Sequence, residues 1–114
     1  MGKLTIHVLD VYHGHPASDM NIELWRLNDD EREKILTIAT NSDGRCDAPL
    51  LSDEAMIEGE YELIFHVRPY FEKKEIDSPF LNTVPIRFTI FDAEAHYHVP
   101  LLVSPWSYNT YRGS

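Results

Sequence analysis

Leu4, Ile6 and Val8 alternate with Thr5, His7 and Leu9 near the start of the chain. Successive side chains of an extended strand point to opposite faces, so this period of two predicts a strand with one buried side. The period returns four times. Ile22 and Leu24, with Arg26, stand against Glu23, Trp25 and Leu27. Tyr61, Leu63, Phe65 and Val67 stand against Glu62, Ile64 and His66, and Ile86, Phe88 and Ile90 against Arg87 and Thr89. Tyr97, Val99, Leu101 and Val103 stand against His96, His98 and Leu102. The apolar, β-branched run KILTIAT ends at NSDGR, where Asp43-Gly44 supplies the positive φ that a tight connection needs. Pro100 has no amide hydrogen and predicts an edge position or a bulge.

Two stretches read differently. LSDEAMIEG offers Ser52 as an N-cap, acidic residues for a first turn and Gly59 as a stop, which predicts a short helix. LNDDEREK reads as a solvated hairpin loop. Roughly seven short strands separated by turns, plus one helix, predict a mostly-β chain folded as an antiparallel sandwich of two sheets. At 114 residues the chain is expected to form one domain, 1–114, around one core.

Composition narrows the partners. The net charge is -9 and the pI near 4.9, which argues against nucleic acid and anionic membranes. A small anionic ligand stays open, because a local cluster of Arg and His outweighs the global field at short range. No run reaches the ~18 apolar residues of a membrane span, and MGKLTIHVLD does not read as a signal peptide. Cys46 is the single cysteine, so no intrachain disulfide framework exists. The expected compartment is the cytoplasm, or the periplasm if a leader has been removed.

Six histidines mark the candidate chemistry. His7 and His98 lie within strands, on the faces opposite the aliphatic residues, where an ordinary surface imidazole would also be at home. His96-Tyr97-His98 places two imidazoles on one face, a usable pair of zinc ligands. His13-Gly14-His15 repeats the spacing in a glycine-containing loop. A structural zinc site takes four ligands, and with Cys46 the only thiol the reading assigns no metal. Arg45, just after the Asp-Gly turn, and Arg112, beside Tyr111, each offer a bidentate fork for carbonyl or carboxylate oxygens. Both would be solvated on an inert surface.

Several segments together resemble a known family. IHVLD at 6–10, DGR at 43–45, HGHPA at 13–17, PFLNTVPIRFTI at 79–90 and the ending HYHVPLLVSPWSYNTYRGS at 96–114 are similar to the transthyretin-related 5-hydroxyisourate hydrolases of urate breakdown. The resemblance runs over essentially the full length; Ser107 departs from a common glycine. It implies a transthyretin-like sandwich with one short helix and four chains assembled as a dimer of dimers. It implies catalytic roles for His7, Arg45, His98 and Ser114, with Tyr111, Arg112 and Gly113 contacting substrate and no cofactor. The implied reaction opens the six-membered ring at the C6–N1 amide. Three readings compete with it: a transthyretin-type carrier of a small hydrophobic ligand, a sandwich with no site, and a zinc-dependent amidohydrolase using His7, His96 and His98.

Overall fold

Alternation along the strands becomes two facing sheets in the computed structural model, which describes residues 1–114. The elements in chain order are β1 (Lys3–Asp10), β2 (His15–Pro16), β3 (Asn21–Asn28), β4 (Glu31–Ala39), β5 (Leu51–Ser52), β6 (Gly59–His66), α1 (Val67–Lys73), β7 (Thr83–Ile90), β8 (His96–Val103) and β9 (Tyr108–Thr110). One sheet runs β2-β1-β8-β9, with β5 also paired to β1; the other runs β4-β3-β6-β7. Leu4, Ile6 and Val8 of β1 and Leu101 and Val103 of β8 are buried against Ile22, Leu24, Leu63 and Phe65 of the second sheet. Removing these apolar faces from water is what holds the layers together.

The pairings are antiparallel except that of β1 with β8, which is parallel and aligns Thr5 with His98 and His7 with Pro100. With the aliphatic residues turned inward, this register leaves Thr5, His7 and His98 as neighbours on the outer face of the first sheet. No helix is long and apolar enough to cross a membrane.

Four local expectations need correction. The segment 52–59 is not the helix: only Asp53–Ala55 makes a single 3-10 turn. Ser52 is instead paired with Lys3 in β5, and Met56 leaves the turn in extended backbone to bury its side chain. Pairing and burial outweigh the capping signals. The helix is α1, over VRPYFEK, where Val67, Tyr70 and Phe71 share the buried side. Pro69 falls in its first turn, where backbone N–H groups have no intrahelical acceptor, so it does not break the helix. Val67 therefore opens α1 rather than extending β6. The charged loop is also shorter than expected, because β3 and β4 stay paired out to Asn28 and Glu31.

Pro100 sits inside the sheet rather than at its edge. The Pro100 carbonyl accepts from Thr110 Oγ1, so by alternation its missing donor faces the β9 side. There the ladder with β9 stops at Leu101–Thr110 and resumes only at the isolated His98–Gly113 bridge. The proline falls in that gap.

Candidate active site

Three separate parts of the chain meet on the outer face of the first sheet. The first is β1–β8 itself. The Thr5 hydroxyl lies 2.8 Å from His98 Nδ1. A hydroxyl can donate or accept, so it fixes the ring plane in either tautomer. The His7 and His98 ring centroids are 6.5 Å apart.

The second part is the turn after β4. Asn41 Oδ1 accepts from the backbone N–H groups of Asp43 and Arg45, and the Asn41 N–H donates to the Arg45 carbonyl at 2.8 Å. Gly44 has φ +73°, and a Cβ placed there would lie 2.3 Å from the Val8 carbonyl oxygen. That close approach lets Val8 N–H donate to the Gly44 carbonyl at 2.8 Å, docking the turn on β1. The Asp-Gly pair thus delivers Arg45 to the edge of the histidine face.

The third part is the C-terminus. Gly113 N–H donates to the His98 carbonyl at 2.7 Å, closing an isolated antiparallel bridge. A cleft of about 450 Å³ results, lined by Lys3, Thr5, Ile6, Arg45, Cys46, Ala48, His96, His98 and Ser114. His7 stands beside it, next to His98.

Partial burial lowers the pKa of His98 below the ordinary imidazole value, and the charges of Arg45 and His7 lower it further. For His7, burial is again the main cause, followed by Arg45; the Asp43 carbonyl and carboxylate oppose it without cancelling it. Both rings are therefore neutral near pH 7, which is the form that can accept a proton from water. Arg45 stays charged and is exposed toward the cleft.

The seven residues singled out in the sequence divide. Arg45, His98 and Ser114 line one cleft, with His7 adjacent. Gly113 packs beneath it: a Cβ there would lie 2.7 Å from His98 Cδ2. Tyr111 and Arg112 are not brought to this cleft within their own chain. The Arg112 guanidinium covers the Tyr97 ring at 4.4 Å and donates to the His96 carbonyl. With Tyr111 it borders a separate apolar groove of about 250 Å³ formed with Ile86, Phe88, Phe91 and Val99. Sequence reasoning missed Thr5 and Lys3. The alternation on β1 that exposes His7 exposes them too, but only the β1–β8 register reveals Thr5 beside His98.

A two-sheet sandwich with two imidazoles and a guanidinium on the outer face of one sheet defines the class: a transthyretin-like protein with a polar cleft on that face. The chain belongs to the HIUase/Transthyretin family, whose profile matches residues 4–113. It is 53% identical over 117 aligned positions to a 5-hydroxyisourate hydrolase of Ralstonia nicotianae, covering all of both chains. Its fold matches a 5-hydroxyisourate hydrolase structure from Klebsiella pneumoniae with a TM-score of 0.85 at 32% identity, again over 100% of both chains. It also matches a crystal structure of (S)-allantoin synthase with a TM-score of 0.93 at 45% identity; 99% of this chain is covered, and it spans 44% of that longer chain.

Proposed function

We infer that this protein is an enzyme of urate degradation. It hydrolyses 5-hydroxyisourate to 2-oxo-4-hydroxy-4-carboxy-5-ureidoimidazoline. The observation that carries the reading is the meeting of His98, Arg45 and Ser114 in one cleft with His7 alongside. It occurs on a chain 53% identical, end to end, to a 5-hydroxyisourate hydrolase.

Opening a cyclic amide requires an activated water, a donor for the developing oxyanion and a proton for the leaving nitrogen. His7 and His98 supply the acid–base pair. One takes a proton from water as it attacks the carbonyl carbon; the other returns a proton to the ring nitrogen as the C–N bond breaks. Arg45 binds the substrate oxygen and stabilises its growing charge, a contribution of ~2–4 kcal/mol to the barrier. Ser114 lines the cleft and offers its hydroxyl to the substrate. No covalent intermediate is required.

The active unit is the whole chain, 1–114, assembled as a homotetramer in the cytoplasm. Two features favour assembly. Strands β7 and β9 are edges of their sheets, and Phe91 and Tyr111, 64% and 58% exposed, flank the apolar groove beside them. In the tetramer Tyr111 and Arg112 contact substrate in the site of another subunit. A carrier of hydrophobic ligands would instead present an aliphatic channel; here the outer face carries two histidines and an arginine.

Freshly generated 5-hydroxyisourate, followed by its absorbance against spontaneous decay, tests the reading. Protein-dependent acceleration supports it, and decay at the uncatalysed rate overturns it. Sedimentation of the same sample reports whether four chains travel together.

A further inference from the structure

The turn between β1 and β2 holds a second pair of histidines that hydrolysis does not use. Asp10 closes β1 with its carboxylate buried. Three donors converge on it: His13 N–H at 2.9 Å on Oδ1, and on Oδ2 the Tyr70 hydroxyl at 2.7 Å and His13 Nδ1 at 2.6 Å. With the His13 backbone N–H on one carboxylate oxygen and the Tyr70 hydroxyl on the other, Asp10 accepts, and His13 Nδ1–H donates to it.

His15 is oriented in the same way. Its Nδ1 lies 2.8 Å from the Pro16 carbonyl, which can only accept, so His15 Nδ1 also carries a proton. An imidazole bonded in this way through Nδ1–H presents Nε2 as its remaining ring nitrogen. The two rings stack with centroids 5.3 Å apart and planes 12° from parallel. One ligand-type atom from each of Asp10, His13 and His15 falls within 4.8 Å of the others. Between the histidines, Gly14 has φ +82° and nothing within 4 Å of the Cβ position, so the space is open.

A histidine that binds a metal characteristically gives its other ring N–H to a carboxylate or a backbone carbonyl. His13 has the first partner and His15 the second. We propose that His13 and His15 bind a divalent transition-metal ion of the zinc or copper class through Nε2, with Asp10 and the Pro16 carbonyl orienting the rings from behind. Imidazole donors select this class over magnesium and calcium, which take oxygen ligands. His15 is exposed and the His13 side chain is 27% exposed; the torsion that aims an imidazole is soft, so small turns of the rings bring both Nε2 atoms onto one ion. Water fills the remaining positions. The chain's net charge of -9 raises the local cation concentration.

The test is a calorimetric Zn²⁺ titration of chelator-stripped protein carrying His7→Asn and His98→Asn, which removes the imidazoles of the hydrolytic cleft. We expect one Zn²⁺ per chain to remain bound. We expect His13→Gln, and separately His15→Gln, added to that background to weaken binding by about tenfold or more. Introduced alone into the wild type, each should leave hydrolysis unchanged. His15→Gln leaves the Asp10 network intact, so a folding defect confined to His13→Gln would not decide the question. Absence of binding at millimolar Zn²⁺ in the His7→Asn, His98→Asn protein would overturn the proposal, as would an affinity unmoved by either Gln substitution.

Discussion

At the scale of single residues, the site is set by how closely its parts approach. Only hydrogen fits between the Gly113 backbone and the His98 ring: a Cβ would lie 2.7 Å from Cδ2. Gly113→Ala should displace the imidazole and leave the core untouched. A misplacement of this size costs on the order of 10²-fold in rate, so kcat/KM should fall steeply while the melting temperature barely moves. The lowered pKa values of His7 and His98 give a second prediction. Their neutral forms persist below 6.5, the ordinary imidazole value, so the acid limb of kcat/KM should fall below that pH. Arg45 charge is the second cause of the lowering in both rings. In Arg45→Gln the limb should move upward toward 6.5 in the pH profile, and kcat should drop by ~10²–10³-fold with the lost oxyanion donor.

At the scale of elements, the turn after β4 does two jobs at once. It connects β4 to the rest of the chain and hands Arg45 to the cleft through the Val8–Gly44 hydrogen bond. Gly44→Ala would place a side chain at φ +73° and 2.3 Å from the Val8 oxygen. Backbone strain of this kind costs about 1–3 kcal/mol, and the clash adds to it. Urea unfolding should register at least that loss, with Arg45-dependent catalysis impaired in whatever still folds.

This turn was legible in the sequence because Asp-Gly has a specific conformational meaning. The long strands were legible for a related reason: period two survives wherever one face is buried, and the faces read for β1, β3 and β7 match the burial observed; β6 and β8 keep the period except at Glu62 and Pro100, which are buried on the opposite face, Glu62 beneath Arg32 and Arg87. The helix was not legible. Its cue, Val67 with Tyr70 and Phe71, spans less than two turns and follows a strand whose alternation runs straight into Val67. The cap-like residues at 52–59 were a stronger local signal, overridden by the pairing of β5 with β1. For the site, the candidate residue types were visible, but their meeting was not. That depends on the parallel β1–β8 register, which joins segments some ninety positions apart, as the Thr5–His98 contact illustrates with a separation of 93. Tyr111 and Arg112 could not be placed from the sequence, because side-chain packing on Tyr97 decides where the guanidinium goes.

At the scale of the whole molecule, these ionisable groups make stability depend on pH in two stages. His7 and His98 have folded-state pKa values below their unfolded value of 6.5. As pH falls below 6.5, the unfolded chain takes up protons first, so stability declines from there. The carboxylates Asp10, Glu23 and Glu62 are held below their ordinary values of 3.8, 4.5 and 4.5. For Glu62, burial opposes the shift, but hydrogen bonds from Arg87 and Arg32 prevail. Their contribution is fully present above those values and is lost as pH drops through and below them. Urea midpoints measured from pH 8 downward should therefore show a shallow loss beginning near 6.5 and a steeper one beginning near 4.5.

The proposed chemistry requires the outer face of one sheet to be a catalytic surface rather than an inert one. The most direct measurement is the rate of 5-hydroxyisourate loss, in excess of spontaneous decay, for wild type and for a folded His98→Asn variant at equal concentration. We expect rapid consumption by the wild type and a rate close to spontaneous decay for the variant. Equal rates for the two proteins would contradict the assignment of His98 and the mechanism built on it.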